Sequence, residues 1–580
     1  MASVYPKKIN GKTYYYLREM GWVDGKPKMV SERYLGSAAD IEAAMDRAEA
    51  GTLPERTRHL RFGDVAAVWS MLTELDVTGV IDAVVGPRRA DAGASIGTYL
   101  ALATLGRLVE PGSKSAFADF WASTAGDRFT RIGGRVLDHR RFWDAMHAVN
   151  PSTLQDISTA LAARMIDRYQ LDTSSVALDM TNFATYIDTT NQRAPIAQRG
   201  KAKQKRTDLR LVGLGMVVTR QAGIPLVWHA YPGNRPDVTQ FSTLIDHLVR
   251  QYTHATADAN TDDGPGTGAA SMTVVFDAGQ NSAANFAHLT EAGLRFIGSV
   301  PPSDCPDLLA LPASRRTPVD DERYPGVTAV DTRRVVYGTD RRVLLTHSQS
   351  LHDDQARSFT DTTLAKVGRQ LDELAATLAR GRTRRTREQL TAEIGRITHD
   401  PWVREVLEWD LTGNTSADHR LAWAINTKKR KALETRVFGK RILITDQDDP
   451  SAWPPAELVA GYRSQSEIEF GFRQLKNPHQ VAFSPMFHWT DNNIAVHTFT
   501  CVLALQIAHL MRLKADRAGH HLSVRAILDT LRGIQETVLI YPSTGGRPKA
   551  RRVTTDLTND QRTLYDLYQL DQWAAPPLRS

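Results

Sequence analysis

Three carboxylates stand where strand ends and a helix face could bring them together. Asp179 follows the apolar run SSVAL, Asp277 follows TVVF, and Glu469 lies within GYRSQSEIEFGFRQLKN. Two divalent cations about 4 Å apart can neutralise the attacking and leaving oxygens of a phosphodiester. Magnesium takes oxygen ligands, so two such ions need about three carboxylates at one point. Either aspartate alone could also be a turn cap, because Asp is common after strands.

The region around Glu469 predicts a single helix over 455–476, with Pro at its entry. At about 100° per residue, one face spanning an arc of roughly 60° carries polar side chains. These are Tyr462, Gln465, Glu469 and Lys476, with Arg473 beside them. A surface helix with a Glu–Arg pair four residues apart would show a similar pattern. Together with the two strand-end aspartates, however, the face indicates one acidic set.

The surrounding pattern predicts an α/β core that would position these groups. Strand-like apolar runs occupy 175–178, 211–219, 224–230, 273–276, 295–300 and 441–445, and helices are predicted over 238–252, 283–292 and 455–476. In open α/β sheets, sites lie where the central strands emerge. The order of these elements resembles a ribonuclease-H-like domain with a segment inserted before its last helix.

The remaining chain divides around this core. We expect an N-terminal β-hairpin and helix over 1–60, then a helical domain over 61–170 that either binds DNA or braces a neighbour. The catalytic core is expected over 171–302 and 441–516, with an insertion domain over 303–440 and a C-terminal region over 517–580. A polar loop over 254–271 is long for a compact domain.

Composition indicates a soluble protein of a reducing compartment, so we expect it to be cytoplasmic. The 580 residues carry a net charge of +7 and include only two cysteines, Cys305 and Cys501, which excludes a disulfide framework. The apolar stretch 494–511 contains five polar side chains, so a buried core helix is expected rather than a membrane span. No G-x-x-x-x-G-K-[ST] phosphate loop occurs in the sequence, so no nucleotide cofactor is expected.

Basic residues crowd the segment RGKAKQKRTDLR at 199–210, shortly before the second core strand. We expect this segment to lie close to Asp179. Lysine and arginine clusters of this kind bind DNA phosphates and give affinity without sequence information. The candidates here are Lys201, Lys203, Lys205 and Arg206. A solvated loop would have the same composition.

Several motifs together resemble the transposases of bacterial insertion sequences, in the DDE group marked by a Tyr-(2)-Arg-(3)-Glu-(6)-Lys signature. Tyr462, Glu469 and Lys476 have that spacing, and Gln465 stands in the Arg position. The phrases LDMTNFATYID, GIPLVWHAYPGNRPD, VVFDAGQNS and HWTDNNIAVHTFTCVLALQIAHL also resemble this group, as does the opening KTYYYLREMGWVDGKPKMVSERYLG. These motifs occur in order and cover most of the chain.

The resemblance implies that Asp179, Asp277 and Glu469 are catalytic metal ligands for Mg²⁺, with Mn²⁺ as an expected substitute. It implies cut-and-paste transposition by a homodimer on paired ends, with double-stranded DNA as partner, both as transposon ends and as target, at the bacterial nucleoid. Tyr462 and Lys476 would contact the DNA backbone near the cleavage point. Gln465 would make a neutral contact there, unless Arg463 or Arg473 substitutes for the missing arginine.

Two other functions share this sequence pattern. A ribonuclease-H-like nuclease that cleaves without joining would need the same carboxylates, and a strand-transfer assay would separate the two. A retired transposase kept as a DNA-binding protein would be marked by loss of a carboxylate. All three carboxylates are present, whereas Gln465 departs from the signature.

Overall fold

The computed structural model describes residues 2–23, 25–50, 54–88, 93–203, 208–257, 272–382, 384–542 and 549–576. The chain divides into two units. One unit comprises Met1–Asp76, Arg88–Asp144 and Met511–Ser580, and the other comprises Val77–Pro87 and Ala145–Leu510. The domain boundaries expected at 60, 170, 302, 440 and 516 stay a prediction.

The chain begins with strands and continues as a run of helices up to residue 169. The elements are β1 (Ala2–Ile9), β2 (Lys12–Val23), β3 (Lys26–Gly36), α1 (Ala38–Ala50), β4 (Arg56–Arg61), α2 (Gly63–Glu74), α3 (Val77–Val85), α4 (Ile96–Val109), α5 (Phe117–Ala122), α6 (Gly126–Thr130), α7 (His139–His147) and α8 (Pro151–Tyr169). The helices expected in this region are therefore present. The N-terminal hairpin is also present, with β1 as a third strand that the pattern did not indicate.

From residue 175 onward strands and helices alternate. The elements are β5 (Ser175–Thr185), β6 (Arg210–Thr219), β7 (Pro225–Pro232), α9 (Phe241–Ala257), β8 (Thr273–Val275), α10 (Ala283–Glu291), β9 (Arg295–Val300), α11 (Pro306–Leu309), β10 (Thr317–Pro318), β11 (Val327–Val336), β12 (Thr339–Ser348), α12 (Gln349–Ser358), α13 (Ala365–Ala379), α14 (Arg387–Ile397), α15 (Pro401–Val406), β13 (Leu407–Thr412), β14 (Arg420–Ile425), α16 (Thr427–Val437), β15 (Lys440–Thr445), α17 (Pro455–Arg463), α18 (Gln465–Lys476), α19 (Asp491–Arg517), α20 (Val524–Arg532), β16 (Gln535–Tyr541), β17 (Lys549–Thr554) and α21 (Asn559–Leu567).

A mixed sheet of nine strands organises the second unit, in the order β10-β11-β12-β15-β9-β8-β5-β6-β7. The central strands β5, β8 and β9 run parallel, and all other neighbours are antiparallel. β8 is completely buried, and β6 is buried along all but its first residue. This burial explains their near-continuous apolar sequences, since a strand covered on both faces has no polar alternation. The chain thus has a mixed α/β fold built on one large sheet.

The first core strand is longer than its sequence indicates. The apolar run predicts a strand that ends at Asp179, but β5 continues to Thr185 and Asp179 lies within it. The reason is its antiparallel partner: β6 pairs with β5 along its whole remaining length, up to Thr185 opposite Arg210. The parallel pairing with β8 stops earlier, at Ala177. Asp179 is therefore placed where a parallel neighbour ends, rather than where its own strand ends.

The helix expected over 455–476 is divided at Ser464 into α17 and α18, so the single-helix prediction is wrong in this respect. The buried Ser464 hydroxyl donates to the Gly461 carbonyl at 2.6 Å. Such a bond from a hydroxyl to its own helix backbone competes with the regular ladder. α17 packs against β9 and α18 against β5 and β6, so the break lets the two halves follow different strands.

The hairpin expected at 333–346 is present as β11 and β12, but it belongs to the large sheet because β12 pairs with β15. Its two-residue turn, Tyr337-Gly338, has positive φ at both positions (51° and 79°). A two-residue turn of type I′ requires positive φ at both residues, which Gly338 adopts without strain. Of the loop expected over 254–271, the first four residues continue α9, and the rest lie outside the described residues.

Among the described residues, α19 is the one helix long and apolar enough by composition to cross a membrane, and its apolar window is entirely buried inside the protein. Its polar side chains have internal partners. His497 Nε2 lies 2.9 Å from the Phe483 carbonyl oxygen, and the Gln506 amide donates to the Pro225 carbonyl at 2.7 Å. These contacts confirm the expectation of a buried core helix.

Candidate active site

Asp179 lies within β5, and Asp277 lies two residues beyond the end of β8, the parallel neighbour of β5. Ala177 of β5 pairs with Val275 of β8, and each aspartate lies two residues further along its chain. The backbone at Asp277 remains extended, with φ −91° and ψ 174°. Because side chains alternate between the two faces of a strand, both carboxylates project from the same face at the same height. Adjacent strands lie about 4.8 Å apart, so the two carboxylates are neighbours.

The environments of the two aspartates differ. Asp179 is half-buried, and burial raises its pKa to about 6, with the charges of Asp277 and Asp237 acting in the same direction. The Met180 amide and the Lys203 ammonium oppose that increase. Asp277 is exposed, and its Oδ1 accepts the Gly279 amide at 2.7 Å. That bond caps a 3₁₀ turn, so Asp277 does serve as a turn cap, while its second carboxylate oxygen remains for other ligands.

Gln465 fastens the helix that carries Glu469 to both aspartate strands. Its amide nitrogen donates to the Val275 carbonyl at 2.7 Å and to the Leu178 carbonyl at 3.3 Å. Leu178 directly precedes Asp179, and Val275 lies two residues before Asp277. Glu469 lies one helical turn beyond Gln465 and is exposed. The amide therefore fixes the height of Glu469 relative to the two aspartates.

A cavity of about 730 Å³ opens beside this junction. Two of the three carboxylates, Asp277 and Glu469, line it, and Asp179 lies outside its lining. The polar remainder of the wall consists of Ser299, Lys440, Arg441, Tyr462, Arg463, Gln465 and Ser466. The cavity is therefore lined by both carboxylates and cations.

Tyr462 lies near both the carboxylates and a cation of this cavity. Burial raises the pKa of its hydroxyl, and the charges of Asp277 and Glu469 raise it further, which shows that both carboxylates are close. A hydrogen bond with Ser299 and the charge of Arg441 act in the opposite direction. The Arg441 guanidinium lies 5.9 Å from the centre of the Tyr462 ring. Sequence reasoning did not identify Arg441, because it reaches the site from β15 and shares no helix with Glu469.

Lysines neutralise the Asp179 side of the junction. Lys203 Nζ donates to the Met180 carbonyl and lies 3.1 Å from Asp237 Oδ2. Lys476 Nζ donates to the Thr181 hydroxyl at 2.6 Å, and burial lowers its pKa. Lys203 lowers the pKa of Lys476 further, whereas Asp179 raises it, so the three charges lie near one another.

Asp237 is a fourth carboxylate near Asp179, which the sequence analysis did not single out although it ends the quoted phrase YPGNRPD. The buried Tyr231 hydroxyl donates to Asp237 Oδ1 at 2.7 Å, and Lys203 occupies its other oxygen. Asp237 thereby holds Lys203 beside Asp179. Because Tyr231 and Lys203 engage both of its oxygens, Asp237 acts as a positioning group.

The described part of the basic segment lies beside Asp179, as expected. Asn182 of β5 donates to the Lys201 carbonyl at 3.0 Å and accepts the Lys203 amide at 3.1 Å. Lys205 and Arg206 lie outside the described residues. Arg473 is exposed, with its guanidinium 5.7 Å from the Phe470 ring centre, and it does not line the cavity. DNA contacts by any of these residues, and by Gln465, stay predictions.

Within the described residues, no group of three or more His, Cys, Asp or Glu side chains is arranged closely enough to hold a metal ion unaided. Asp179 and Asp277 share one sheet face, and Asp277 and Glu469 share the cavity. Asp277 thus lies near each of the other two carboxylates, and a common metal site for all three stays a prediction.

Comparison with protein families and with characterised proteins finds no match in sequence. Among solved structures, the chain is similar to one described as a piggyBac transposase synaptic complex with hairpin DNA, studied by electron cryomicroscopy. The sequence identity is 9%, the TM-score is 0.36, and the alignment covers 82% of each chain.

Proposed function

We propose that the chain is a DNA transposase that cleaves and joins DNA with Asp179, Asp277 and Glu469. The observation that carries this proposal is the equal offset of the two aspartates from a paired position of β5 and β8, two strands that Gln465 joins to the helix bearing Glu469. Three carboxylates on a sheet and a helix are the donors that metal-dependent phosphoryl transfer needs. The cations that line the same cavity suit a polyanionic substrate.

The strand order supports a ribonuclease-H-like core within the large sheet. Strands β7, β6, β5, β8 and β9 are consecutive neighbours, and β6 alone runs against the others. Between β9 and β15, residues 301–439 form β10–β12 at the sheet edge, the separate β13–β14 ribbon and helices α11–α16. We interpret that stretch as the insertion that precedes the Glu-bearing helix.

The proposed ligands fit Mg²⁺ or Mn²⁺, because all three are carboxylates and both ions prefer hard oxygen donors. When bound, the ions would activate the attacking water or hydroxyl and neutralise the leaving oxygen. Around them, Tyr462 and Lys476 would contact the DNA backbone, and Lys203 would offset charge at Asp179. Arg441 and Arg463, which line the cavity, are the candidates for the phosphate contact that an arginine at position 465 would make.

On this proposal, the substrates are the terminal inverted repeats of an insertion sequence and a target duplex, joined by cut-and-paste transposition. Two chains on paired ends and action at the nucleoid in the cytoplasm belong to the same proposal. A nuclease that cleaves without joining would use the same residues, so strand joining is the property to measure.

The test uses the full chain with a linear duplex that carries the DNA flanking its gene. We expect Mg²⁺-dependent cleavage at matching inverted repeats and joining of the ends to a plasmid. Asp179→Asn, Asp277→Asn and Glu469→Gln should each abolish cleavage and leave DNA binding in EDTA unchanged, because the cationic surface is intact. Near-normal cleavage by any one variant would remove that residue from the site. Cleavage without joining would establish the nuclease alternative.

Metal binding can be measured separately from DNA cleavage. We expect protein-bound Fe²⁺, substituted for Mg²⁺ with ascorbate and peroxide, to cut the polypeptide near residues 179, 277 and 469. The Asp277→Asn variant should lose these cuts. Backbone cleavage at unrelated positions would show that the ion binds elsewhere.

A further inference from the structure

The N-terminal sheet presents one face of exposed aromatic and apolar side chains. The strand pairing places every second residue of β2 on that face, together with the residues directly opposite them on β1 and β3. Its exposed large side chains are Tyr5, Ile9, Met20, Trp22, Met29 and Tyr34, with exposures from 39% to 79%. Side chains this large are normally covered in a folded protein, so a face that exposes six of them indicates an interaction surface.

Cations lie among these rings. Lys7, Lys12 and Arg18 belong to the same face by the same alternation. The Arg18 guanidinium lies 3.8 Å from the centre of the Tyr5 ring, and the Lys7 ammonium lies 5.7 Å from that of Tyr16. Cations stacked over rings are held in place. Because Arg18 is also paired with Glu32, Lys7 and Lys12 are the candidates for phosphate contacts on this face.

The charge of this region indicates a polyanionic partner. The first 36 residues contain seven lysines and arginines but only three acidic residues, whereas the whole chain carries a net charge of only +7. Of the acidic residues, Glu32 is paired with Arg18 at 3.2 Å. An excess of basic residues in one small module is the electrostatic pattern of nucleic-acid binding.

We infer that this face of the β1–β3 sheet binds duplex DNA, with the Trp22 end of the β2–β3 hairpin entering the major groove. Three strands span about 10 Å, since neighbours lie about 4.8 Å apart. The major groove is about 12 Å wide and accepts β-ribbons. Trp22 lies next to the hairpin turn and is 79% exposed, so it can reach base edges while the lysines contact phosphates. This DNA contact goes beyond the proposed chemistry and does not depend on it.

The experiment measures binding by the full chain in EDTA, where no metal-dependent cleavage occurs. Fluorescence anisotropy with a labelled 30-base-pair duplex is recorded over a series of salt concentrations. Lys7→Gln combined with Lys12→Gln should flatten the slope of log affinity against log salt by about two, because two phosphates are no longer neutralised. Trp22→Ala should weaken binding at least threefold, and its fold should be unaffected because the side chain packs against so little.

A matched control removes the same charge from the opposite face, with Lys8→Gln combined with Lys26→Gln. This pair should reduce the slope much less. An equal loss from both pairs would overturn the face assignment and leave only general attraction. Unchanged DNA binding by the Lys7→Gln and Lys12→Gln pair and by Trp22→Ala would overturn the inference. If these variants changed the oligomeric state and not DNA binding, the face would be a protein-docking surface. Tighter binding of single-stranded than of duplex DNA would overturn the groove placement.

These outcomes are separate from those of the catalytic proposal. Loss of cleavage in the carboxylate variants concerns the second unit, and it should occur with unchanged binding in EDTA. Loss of binding in the sheet variants should occur while metal-dependent cutting of the polypeptide by Fe²⁺ persists. Either proposal can therefore fail while the other stands.

Discussion

At the scale of single residues, Asp179 carries the charge that the proposed chemistry needs, but it lies where burial disfavours that charge. Burial raises its pKa from 3.8 to about 6, so at neutral pH the ionised carboxylate is held against its desolvation cost. Lys203 and Lys476 offset part of that cost. Perturbed acids of this kind cluster at functional sites, where activity is favoured over stability.

We therefore predict that Asp179→Asn stabilises the metal-free protein. An acid whose folded pKa lies above its unfolded value loses stability as pH rises between the two, here from about 4 to about 6. Asn cannot ionise, so its advantage should grow across that window and stay constant above it. Two pKa units correspond to at most about 3 kcal/mol. Urea unfolding in EDTA at pH 4 and pH 7.5 measures this difference, and lower stability of the variant at pH 7.5 would contradict it.

Arg441 is the residue that we expect to replace the missing signature arginine. It lines the cavity with Asp277 and Glu469, whereas Arg473 does not. A hydrogen bond between charged groups contributes about 1.5–3 kcal/mol, so Arg441→Gln should slow cleavage by roughly 10- to 100-fold. Arg473→Gln should slow cleavage less than about threefold. Cleavage rates on one end substrate decide between them, with Arg463→Gln as the third comparison. A larger effect at Arg473 would mean that the DNA follows the outer helix face instead.

At the scale of elements, the junction depends on how α18 is attached to the sheet. Gln465 is buried and donates to carbonyls of both aspartate strands. Gln465, which stands in the signature's Arg position, therefore has hydrogen-bond partners on the sheet. The arrangement of residues around one helix could not predict these partners. Hydrogen bonds between a helix and a strand depend on how the two pack together. Residue spacing along one helix carries no information about that packing.

Replacing Gln465 with Leu should loosen this attachment. The carbonyls of Leu178 and Val275 would lose a buried donor, which costs about 1–3 kcal/mol of stability. Cleavage should fall as well, because Glu469 is no longer held at the height of the aspartates. Gln370→Leu, at an exposed position of α13 outside this cavity, is the matched control and should change neither quantity appreciably. Urea midpoints and cleavage rates are measured together. Wild-type stability in the Leu variant would show that the attachment does not depend on the amide.

Local patterns predicted most strands and helices of the core, because apolar runs and turn residues are local properties. They did not predict the extension of β5 beyond Asp179 or the break at Ser464, since both depend on a partner strand. The acidic trio was proposed from residue types and element order, and its role stays a prediction. Arg441, Ser299 and Asp237 were missed because they reach the junction from other strands and loops, at positions that no sequence spacing relates to Glu469.

At the scale of the whole molecule, a small net charge conceals local concentrations of basic residues. The N-terminal sheet and the segment 199–210 each hold far more cations than acids, although the chain as a whole carries only +7. Affinity for a phosphate backbone depends on how many cations can reach it together, not on the total charge. Two basic segments in different parts of the sequence predict that losing either one weakens DNA binding without abolishing it.

The basic segment at 199–210 gives the last prediction. Neutralising Lys201, Lys203, Lys205 and Arg206 together should weaken binding to unrelated DNA sequences about equally and flatten its salt dependence. Lys203 should contribute less than the others to binding, because Asp237 already holds it at 3.1 Å. Lys203→Gln alone should instead slow cleavage, since it removes the cation beside Asp179 and leaves Asp237 unpaired on that side. Anisotropy on several duplexes, with a Lys428→Gln and Lys431→Gln pair as control, separates these effects. A loss confined to one sequence would mean that the segment reads bases, and an unchanged cleavage rate for Lys203→Gln would remove that lysine from the junction.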